Sequence, residues 1–193
     1  MYGARREKFR EYMAGDQCLV PASIFDAFSI RLADDIGFEV GMVGGSSASL
    51  AVLGAPDLIV MTLTEFADQC RRMSRASSLP FAVDADHGYG NALNVQRTVR
   101  TFERMGAAAI QHEDQSLPKR CGHLAGKTLV PGAEMVGKIK AALDSRDRAL
   151  IVARTDAIAV EGIEGALDRA ESYLEAGADV LFVEAPQDDD QIA

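Results

Sequence analysis

The sequence repeats one local pattern: a short apolar run, a polar loop, an amphipathic stretch and then a glycine. A glycine at the end of a helix readily adopts the left-handed conformation that stops the helix. The pattern predicts successive βα units, which build a parallel sheet covered by helices. Its clearest joints are Ile36-Gly37-Phe38-Glu39-Val40, Met105-Gly106-Ala107-Ala108-Ala109 and Ala176-Gly177-Ala178-Asp179-Val180.

This pattern predicts six strands and five helices. The strands are short apolar runs, as expected for parallel strands that are buried on both faces. The helices carry apolar residues at helical spacing. The predicted strands are 18–21, 40–44, 81–84, 109–113, 149–154 and 180–184. The predicted helices are 24–36, 64–77, 94–105, 133–143 and 165–176.

Units of this kind build either an open doubly wound sheet or a (β/α)₈ barrel. The GxGxxG fingerprint of dinucleotide-binding sheets does not follow the first strand, and Gly88-Tyr89-Gly90 is only a fragment of it. A barrel needs eight strands and typically about 250 residues, whereas this chain has 193. We therefore interpret residues 1–193 as a single α/β domain, a (β/α)₈ TIM-type barrel truncated after about six strands.

Charge and composition limit the expected partners. The net charge of −9 repels phosphate backbones and anionic lipid, which argues against nucleic acid and membranes. The charged N-terminal segment lacks the apolar core of a secretory signal, and no apolar run approaches the roughly 20 residues of a membrane helix. Cys18 and Cys70 are interpreted as small core residues rather than disulfide partners. We expect a cytoplasmic protein that acts on a small anionic molecule.

Acidic side chains stand at the ends of several predicted strands. Asp84 ends the third predicted strand and Asp86 follows it, Glu113 ends the fourth and Glu184 the sixth, while Arg154 ends the fifth. The carboxyl ends of parallel strands form one face of the fold, where the active site lies, so these side chains should converge. Carboxylates at positions i and i+2, with a third on the adjacent strand, suit Mg²⁺, and Mn²⁺ accepts the same ligands.

Several further residues have two interpretations each. The small residues of Gly44–Ser49 suit backbone binding of a substrate carboxylate, or form an ordinary turn. Asp57 would reach the metal or its waters, or cap a turn. His87 and His112 would support the metal ligands, or serve as hydrogen-bonded structural residues.

A long segment without predicted structure, Asp114–Pro131, follows the fourth strand. Loops of this length in compact folds are usually functional lids or disordered. Within it, Cys121 is surrounded by Lys119, Arg120 and His123, and nearby cations stabilise a thiolate. We therefore expect Cys121 to exchange protons near neutral pH and the cations to attract an anionic substrate. The alternative is a surface thiol in a loop.

Four segments together resemble the isocitrate lyase / phosphoenolpyruvate mutase superfamily, and the resemblance covers roughly residues 20–190. It implies a (β/α)₈ barrel with bound Mg²⁺, assembled into homodimers or homotetramers that exchange a helix. The segments are Asp84-Ala85-Asp86-His87-Gly88-Tyr89-Gly90-Asn91, Glu113-Asp114-Gln115, Lys119-Arg120-Cys121-Gly122-His123 and Ala153-Arg154-Thr155-Asp156-Ala157.

The resemblance also implies roles for individual residues. Asp84 matches the direct metal ligand, and the ligands that act through waters match Asp86, Glu113 and Asp57. The implied substrate contacts are Gly45, Ser46, Lys119, Arg120, Gly122, His123 and Arg154. The implied catalytic residues are Cys121 as acid/base, Arg154 as the substrate's grip and Glu184 beside the substrate.

These features predict a Mg²⁺-dependent carbon–carbon lyase. The cysteine-containing lid is typical of the superfamily's lyases, which favours cleavage of a 2-hydroxy di- or tricarboxylate of the methylisocitrate, dimethylmalate or isocitrate type to an α-keto acid and a carboxylic acid. The segment His87–Asn94 instead resembles the oxaloacetate decarboxylase branch. The alternatives are oxaloacetate decarboxylation, phosphonate or phosphoenolpyruvate chemistry, and, in a different class, an inactive truncated barrel that keeps the metal.

Overall fold

Six parallel strands form one sheet whose strand order follows the order of the chain. The computed structural model describes residues 2–122 and 124–192, so the expectation for His123 lies outside the described residues. The strands are β1 (Ala22–Ser23), β2 (Gly41–Val43), β3 (Phe81–Asp84), β4 (Ala109–Glu113), β5 (Leu150–Thr155) and β6 (Val180–Val183).

Seven helices are found in the described residues. Three of them, α2, α4 and α5, begin at reciprocal capping boxes in which the residues Asp26, Thr62 and Asn91 accept a backbone N–H. The helices are α1 (Gly3–Met13), α2 (Ala27–Asp35), α3 (Gly45–Leu53), α4 (Leu63–Ala76), α5 (Ala92–Arg104), α6 (Gly132–Ser145) and α7 (Ile158–Glu175), followed by a 3₁₀ turn at Asp189–Gln191.

The predicted bounds of β3 and β4 agree with the structure, but the first strand was predicted wrongly. The sequence placed it at 18–21, whereas β1 covers Ala22–Ser23. Pro21 has no N–H to donate to a ladder, and pairing begins one residue later, where the Ala22 N–H donates to the Val40 carbonyl at 2.9 Å. Gly44–Ser49, expected as a loop or turn, instead begins helix α3.

Helix α1 was not predicted, because its charged sequence carries little helical apolar pattern. Two of its three arginines, Arg5 and Arg6, are nevertheless buried. The Arg5 guanidinium donates to carbonyls of Ser74 and Gly106, and Arg6 Nε donates to the Ala107 carbonyl at 3.1 Å. These carbonyls lie in or after the last turns of α4 and α5, where a helix leaves its acceptors unsatisfied. Two arginines thus tie α1 to the ends of two other helices.

The main core lies between the sheet and helices α2, α4 and α5. Phe66 of α4 and Phe102 of α5 meet edge to face, with ring centroids 5.2 Å apart. Phe81 and Ile110 of the sheet and Met73 of α4 are fully buried in the same cluster. This packing holds β3 and β4 rigidly, so the residues that follow them are firmly positioned. No helix in the described part of the chain is long and apolar enough to cross a membrane.

The buried Glu103 side chain organises the connection between α6 and β5. Its carboxylate accepts backbone N–H groups from Asp147, Arg148 and Ala149 at 2.7, 2.6 and 2.7 Å. Burial alone would raise the pKa of Glu103, but these three hydrogen bonds and Arg6 outweigh burial and lower it. The ionised carboxylate therefore stabilises the fold.

Replacing Glu103 by glutamine is expected to lower the free energy of unfolding at neutral pH by about 2 kcal/mol, because a charged acceptor of buried N–H groups is lost. Since the folded state has the lower pKa, this stabilisation is complete above the unfolded pKa of about 4.3 and disappears as the pH falls through the folded pKa. Urea denaturation should show that the difference in free energy of unfolding between the unaltered protein and Glu103→Gln is smaller at acidic than at neutral pH. Glu171→Gln, on the exposed face of α7, is the matched control. If Glu103→Gln lowers the free energy of unfolding equally at both pH values, the ionised carboxylate is not the source of the stabilisation.

Candidate functional site

The polar strand ends meet at one edge of the sheet, as the sequence predicted. In the ladders, Glu113 of β4 lies opposite Arg154 of β5, and Thr155 of β5 lies opposite Val183, the residue before Glu184. The side chains of Asp84, Glu113 and Glu184 all come within 4 Å of the Arg154 guanidinium. Residues distant in sequence thus form one cluster.

Arg154 is the centre of this cluster. Its closest partner is Asp156, with Nε–Oδ2 and Nη2–Oδ1 distances of 2.9 and 3.0 Å. Glu184 lies 3.3 Å away, Glu113 3.5 Å and Asp84 3.9 Å. Burial alone would lower the pKa of Arg154, but the surrounding carboxylates raise it above its usual value. The guanidinium is a fixed positive charge whose orientation is set by Asp156.

Lys119 forms a second cationic centre and lies in the segment Asp114–Pro131, which we call the lid. Its Nζ lies 2.9 Å from Asp57 Oδ2 and 2.5 Å from Asp86 Oδ1. Burial alone would lower the pKa of Lys119, but Asp86 and other carboxylates raise it. Ser46 Oγ donates to the same Asp57 oxygen at 3.3 Å, and Gly45 lies close to both acids, where a side chain would crowd them. The first residues of α3 therefore border the acidic cluster.

The acids repel one another. Burial, followed by the charge of Asp84, raises the pKa of Asp86 to about 7. The same two causes raise the pKa of Glu113 well above its usual value. Glu113 Oε1 is buried and has no hydrogen-bond partner among the described residues. A buried acceptor without a donor, together with acids of raised pKa, indicates that Arg154 and Lys119 only partly neutralise the carboxylates of this site.

The donor chemistry of this cluster fits a hard divalent cation. Asp57, Asp84, Asp86 and Glu113 supply only oxygen, the donor that Mg²⁺ prefers. Within residues 2–122 and 124–192, no three acidic, histidine or cysteine side chains are grouped closely enough to enclose a metal. A Mg²⁺ site needs only one or two direct carboxylates, because the ion keeps several waters. The raised pKa values and the unpartnered Glu113 oxygen agree with a cation at this position.

The two histidines beside the acids are buried and uncharged. Burial, followed by the charge of Lys138, lowers the pKa of His87 to about 4 and that of His112 to about 3. Neither His87 Nδ1 nor either ring nitrogen of His112 has a hydrogen-bond partner in the part of the chain that the structure describes. Both histidines are therefore expected to be neutral near pH 7.

An open cavity of about 470 Å³ borders the cluster and the lid, and many of its lining residues are apolar, among them Phe9, Val40, Val152 and Phe182. Cys121 and Gly122 line it together with the polar residues Arg154, Glu184 and Asp84. Gly45 and Ser46 complete one wall. The cavity therefore brings together residues from the lid, α3 and three strand ends.

Not every sequence expectation agrees with this geometry. Neither Lys119 nor Arg120, both predicted to contact the substrate, lines the cavity: Lys119 is buried against Asp57 and Asp86. The Arg120 guanidinium donates to the Ala125 carbonyl at 3.0 Å, and its main chain pairs with Gln115. Its side chain is turned into the lid because Gln115 fixes the backbone. Cys18 is exposed rather than a core residue, whereas Cys70 is buried as expected.

Two functional candidates were absent from the predicted site. Asp156 follows Arg154 by two residues, so alternation along the strand puts both on the same side, a signal that the sequence already carried. Lys127 carried no such signal, because only the folded lid brings it 2.9 Å from Asp156.

The sequence matches a known protein family and several curated proteins. The family described as phosphoenolpyruvate phosphomutase matches residues 9–193. An oxaloacetate decarboxylase of Rhodopseudomonas palustris (strain BisB18) is 54% identical over 184 residues, which are 94% of this chain and 64% of that protein. This chain thus spans slightly less than two thirds of that relative's length.

Solved structures show the same fold. The crystal structure of 2,3-dimethylmalate lyase, a PEP mutase/isocitrate lyase superfamily member, superposes with a TM-score of 0.94 and 34% identity, covering 100% of this chain and 65% of that one. A phosphonopyruvate hydrolase in complex with oxalate and Mg²⁺ has a TM-score of 0.87 and 31% identity, covering 97% of this chain and 66% of that one. The predicted barrel-type α/β fold is thereby confirmed, with six parallel strands in the described residues.

Proposed function

We propose, from the membership of this chain in the phosphoenolpyruvate phosphomutase family, that it acts as a Mg²⁺-dependent carbon–carbon lyase. Its substrate would be a small keto or hydroxy acid. Because the similar proteins are named oxaloacetate decarboxylase, the substrate that we propose is oxaloacetate, cleaved to pyruvate and CO₂. The observation that carries the proposal is the cavity in which Arg154, Glu184 and Asp84 meet the lid residue Cys121. The sequence alone favours a hydroxy-acid lyase, with this decarboxylation as its alternative, whereas the similar proteins favour the decarboxylation.

We propose Asp84 as the direct Mg²⁺ ligand, with Asp86, Glu113 and Asp57 acting through waters. When bound, the ion would polarise the substrate's carbonyl and carboxylate oxygens as a Lewis acid. The all-oxygen donor set and the unpartnered Glu113 Oε1 support this assignment. The similar phosphonopyruvate hydrolase, solved with oxalate and Mg²⁺, supports the choice of ion, and Mn²⁺ is an acceptable substitute.

Arg154 is suited to hold the substrate carboxylate and to offset charge in the transition state. Its guanidinium is already oriented by Asp156 at 2.9 Å, so little reorganisation is needed when charge develops. The first N–H groups of α3, at Gly45 and Ser46, have no acceptor within the helix and can receive a second carboxylate oxygen. These contacts fix a dicarboxylate in one orientation.

Decarboxylation breaks the bond between the carboxylate carbon and the neighbouring methylene carbon. CO₂ leaves, the electron pair moves into the keto group as an enolate, and the methylene carbon then takes a proton. Arg154 stabilises the enolate charge. Cys121 lines the same cavity and can supply the proton, as can water that enters the open cavity.

A second candidate is cleavage of a 2-hydroxy acid, favoured by the position of Cys121 in the cavity and by the likeness to 2,3-dimethylmalate lyase. A base removes the hydroxyl proton, the carbon–carbon bond breaks, and an α-keto acid forms. The other product is a carboxylate-stabilised carbanion, which Cys121 protonates. This reaction needs the thiol more than decarboxylation does.

The test is a substrate panel with Mg²⁺: oxaloacetate, 2,3-dimethylmalate, methylisocitrate, isocitrate and phosphonopyruvate, with all products quantified. Equal amounts of pyruvate and CO₂ from oxaloacetate, above the rate without protein, support the main proposal. Keto acid from a hydroxy acid, without CO₂, supports the second candidate. Phosphate release from phosphonopyruvate would move the protein to phosphonate chemistry. Mg²⁺ binding without any turnover would identify an inactive metal-binding barrel.

Assembly and location stay predictions. We propose a homodimer or homotetramer in the cytoplasm, and light scattering of the purified protein checks the oligomeric state.

Replacing Gly122 by alanine is expected to lower turnover by about 10²-fold, the loss typical of a displacement of about 1 Å in a catalytic group. A methyl group at Gly122 would overlap the Glu184 carboxylate and the Arg154 guanidinium, so the lid could not settle on them. Steady-state kinetics measures the effect. Gly137→Ala is the matched control, because nothing lies near that position in α6. Unchanged turnover in Gly122→Ala would show that the lid does not close against these residues.

A further inference from the structure

The lid contains a lysine whose charge is buried. The side chain of Lys127 is 1% exposed and that of Asp156 is 0% exposed, with 2.9 Å between Nζ and Oδ1. Lys127 Nζ also donates to the Gly122 carbonyl at 2.6 Å. One ammonium group therefore connects the strand β5 end to the lid residue that follows Cys121.

The same carboxylate holds Arg154. Asp156 Oδ1 accepts from both Lys127 Nζ and Arg154 Nη2, while Oδ2 accepts from Arg154 Nε. Burial alone would raise the pKa of Asp156, but Arg154 and Lys127 outweigh it and lower the pKa. The main-chain N–H of Asp156 donates to Asp114 Oδ1 at 3.0 Å, which fixes the carboxylate's own position. Asp156 thus bridges the two cations from a rigid base.

A buried ion pair is a weak source of stability, because desolvation offsets much of its attraction. Instead, this pair fixes the position of the lid relative to the end of β5. Gly122 packs directly on Arg154 and Glu184, and its carbonyl is the group that Lys127 grips. A displacement of that carbonyl would move the neighbouring Cys121 relative to Arg154.

We propose that Lys127 is a positioning residue: through Asp156 and the Gly122 carbonyl, it fixes the lid residue Cys121 in register with Arg154. The proposal rests on the proposed function insofar as Arg154 binds the substrate. It assigns Lys127 no contact with the substrate and no proton transfer.

The three cysteines allow a test that needs no turnover. Cys121 is partly exposed in the lid, Cys18 is exposed elsewhere and Cys70 is buried in the core. Iodoacetamide alkylation, followed at each cysteine by mass spectrometry, therefore reports lid opening, intrinsic reactivity and global unfolding separately. In Lys127→Met, Cys121 should react about tenfold faster relative to Cys18, the change expected when local opening loses about one hydrogen bond.

Cys70 should stay unreactive in Lys127→Met. Lys127→Arg, which keeps the charge, should restore most of the protection, and Asp156→Asn should reproduce the release of the lid. The matched control is Lys140→Met, which alters an exposed lysine of α6. For a substrate that is turned over, Lys127→Met should lower kcat more than it raises KM.

An unchanged Cys121 rate in Lys127→Met would overturn the proposal. Faster reaction of Cys70 together with Cys121 would also overturn it, because Lys127 would then support the whole fold rather than the lid. Absence of turnover in the unaltered protein would contradict the proposed function, whereas the alkylation rates would still decide whether Lys127 holds the lid.

Discussion

Replacing Arg154 by lysine is expected to lower turnover by about 10²–10³-fold, the usual cost of losing one preorganised donor to developing charge. Arg154 holds Asp156 with two nitrogens while lying 3.3 Å from Glu184. A lysine keeps the charge but has one compact ammonium group, so it cannot make the fork-shaped contacts and also face the cavity. Steady-state kinetics on the substrate identified by the panel measures the loss.

The charge and the shape of Arg154 can be separated with a second variant. Arg154→Met should lower the free energy of unfolding by about 3–5 kcal/mol, because several buried carboxylates lose their cation, whereas Arg154→Lys should unfold close to the unaltered protein. The matched control is Arg97→Lys on the exposed face of α5. Turnover of Arg154→Lys within about threefold of that of the unaltered protein would show that Arg154 does not stabilise the transition state.

Replacing Cys121 by serine is expected to lower cleavage of a 2-hydroxy acid by about 10²–10⁴-fold, the range for loss of a general acid. Serine keeps the size of the side chain but is a far weaker acid. Decarboxylation should fall much less, since the enolate of pyruvate can take its proton from water. The ratio of the two losses therefore separates the two candidate reactions.

The control for this variant is Cys18→Ser, which alters an exposed thiol that does not line the cavity. Binding of Mg²⁺ to Cys121→Ser, followed by calorimetry, should be unchanged because the thiol lies outside the acid cluster. Full turnover of a hydroxy acid by Cys121→Ser would exclude the thiol as proton donor.

The sequence predicted those parts of the fold in which local pattern and tertiary packing agree. The strands β3 and β4 are apolar runs that end in acids, and both were placed at their observed bounds. Helix α3 was missed because its run of small residues after Gly44 carries no amphipathic stripe. Helix α1 was missed because its charged residues are satisfied by distant carbonyls, which no local pattern reveals.

The candidate site divides in the same way. The convergence of Asp84, Glu113 and Arg154 follows from parallel-strand topology and was predictable from the strand ends alone. The lid was different, because its contacts depend on how an irregular segment folds back on the sheet. Proximity in sequence therefore placed Arg120 at the substrate, although it turns away, and gave no sign of Lys127.

The strand order, in which strands that are consecutive in the chain are neighbours in the sheet, also bears on how such a protein can diversify. Each strand pairs with its immediate predecessor, and the lid is an insertion within a single connection, between β4 and β5. Lengthening a flexible connection costs little, roughly 0.6 kcal/mol for each doubling of its length. Mutation can therefore remodel the lid, and with it the choice of substrate, while the acids on the neighbouring strand ends stay in place. Descendants of one scaffold can thus inherit a shared metal chemistry and acquire different reactions through a segment of fewer than about twenty residues.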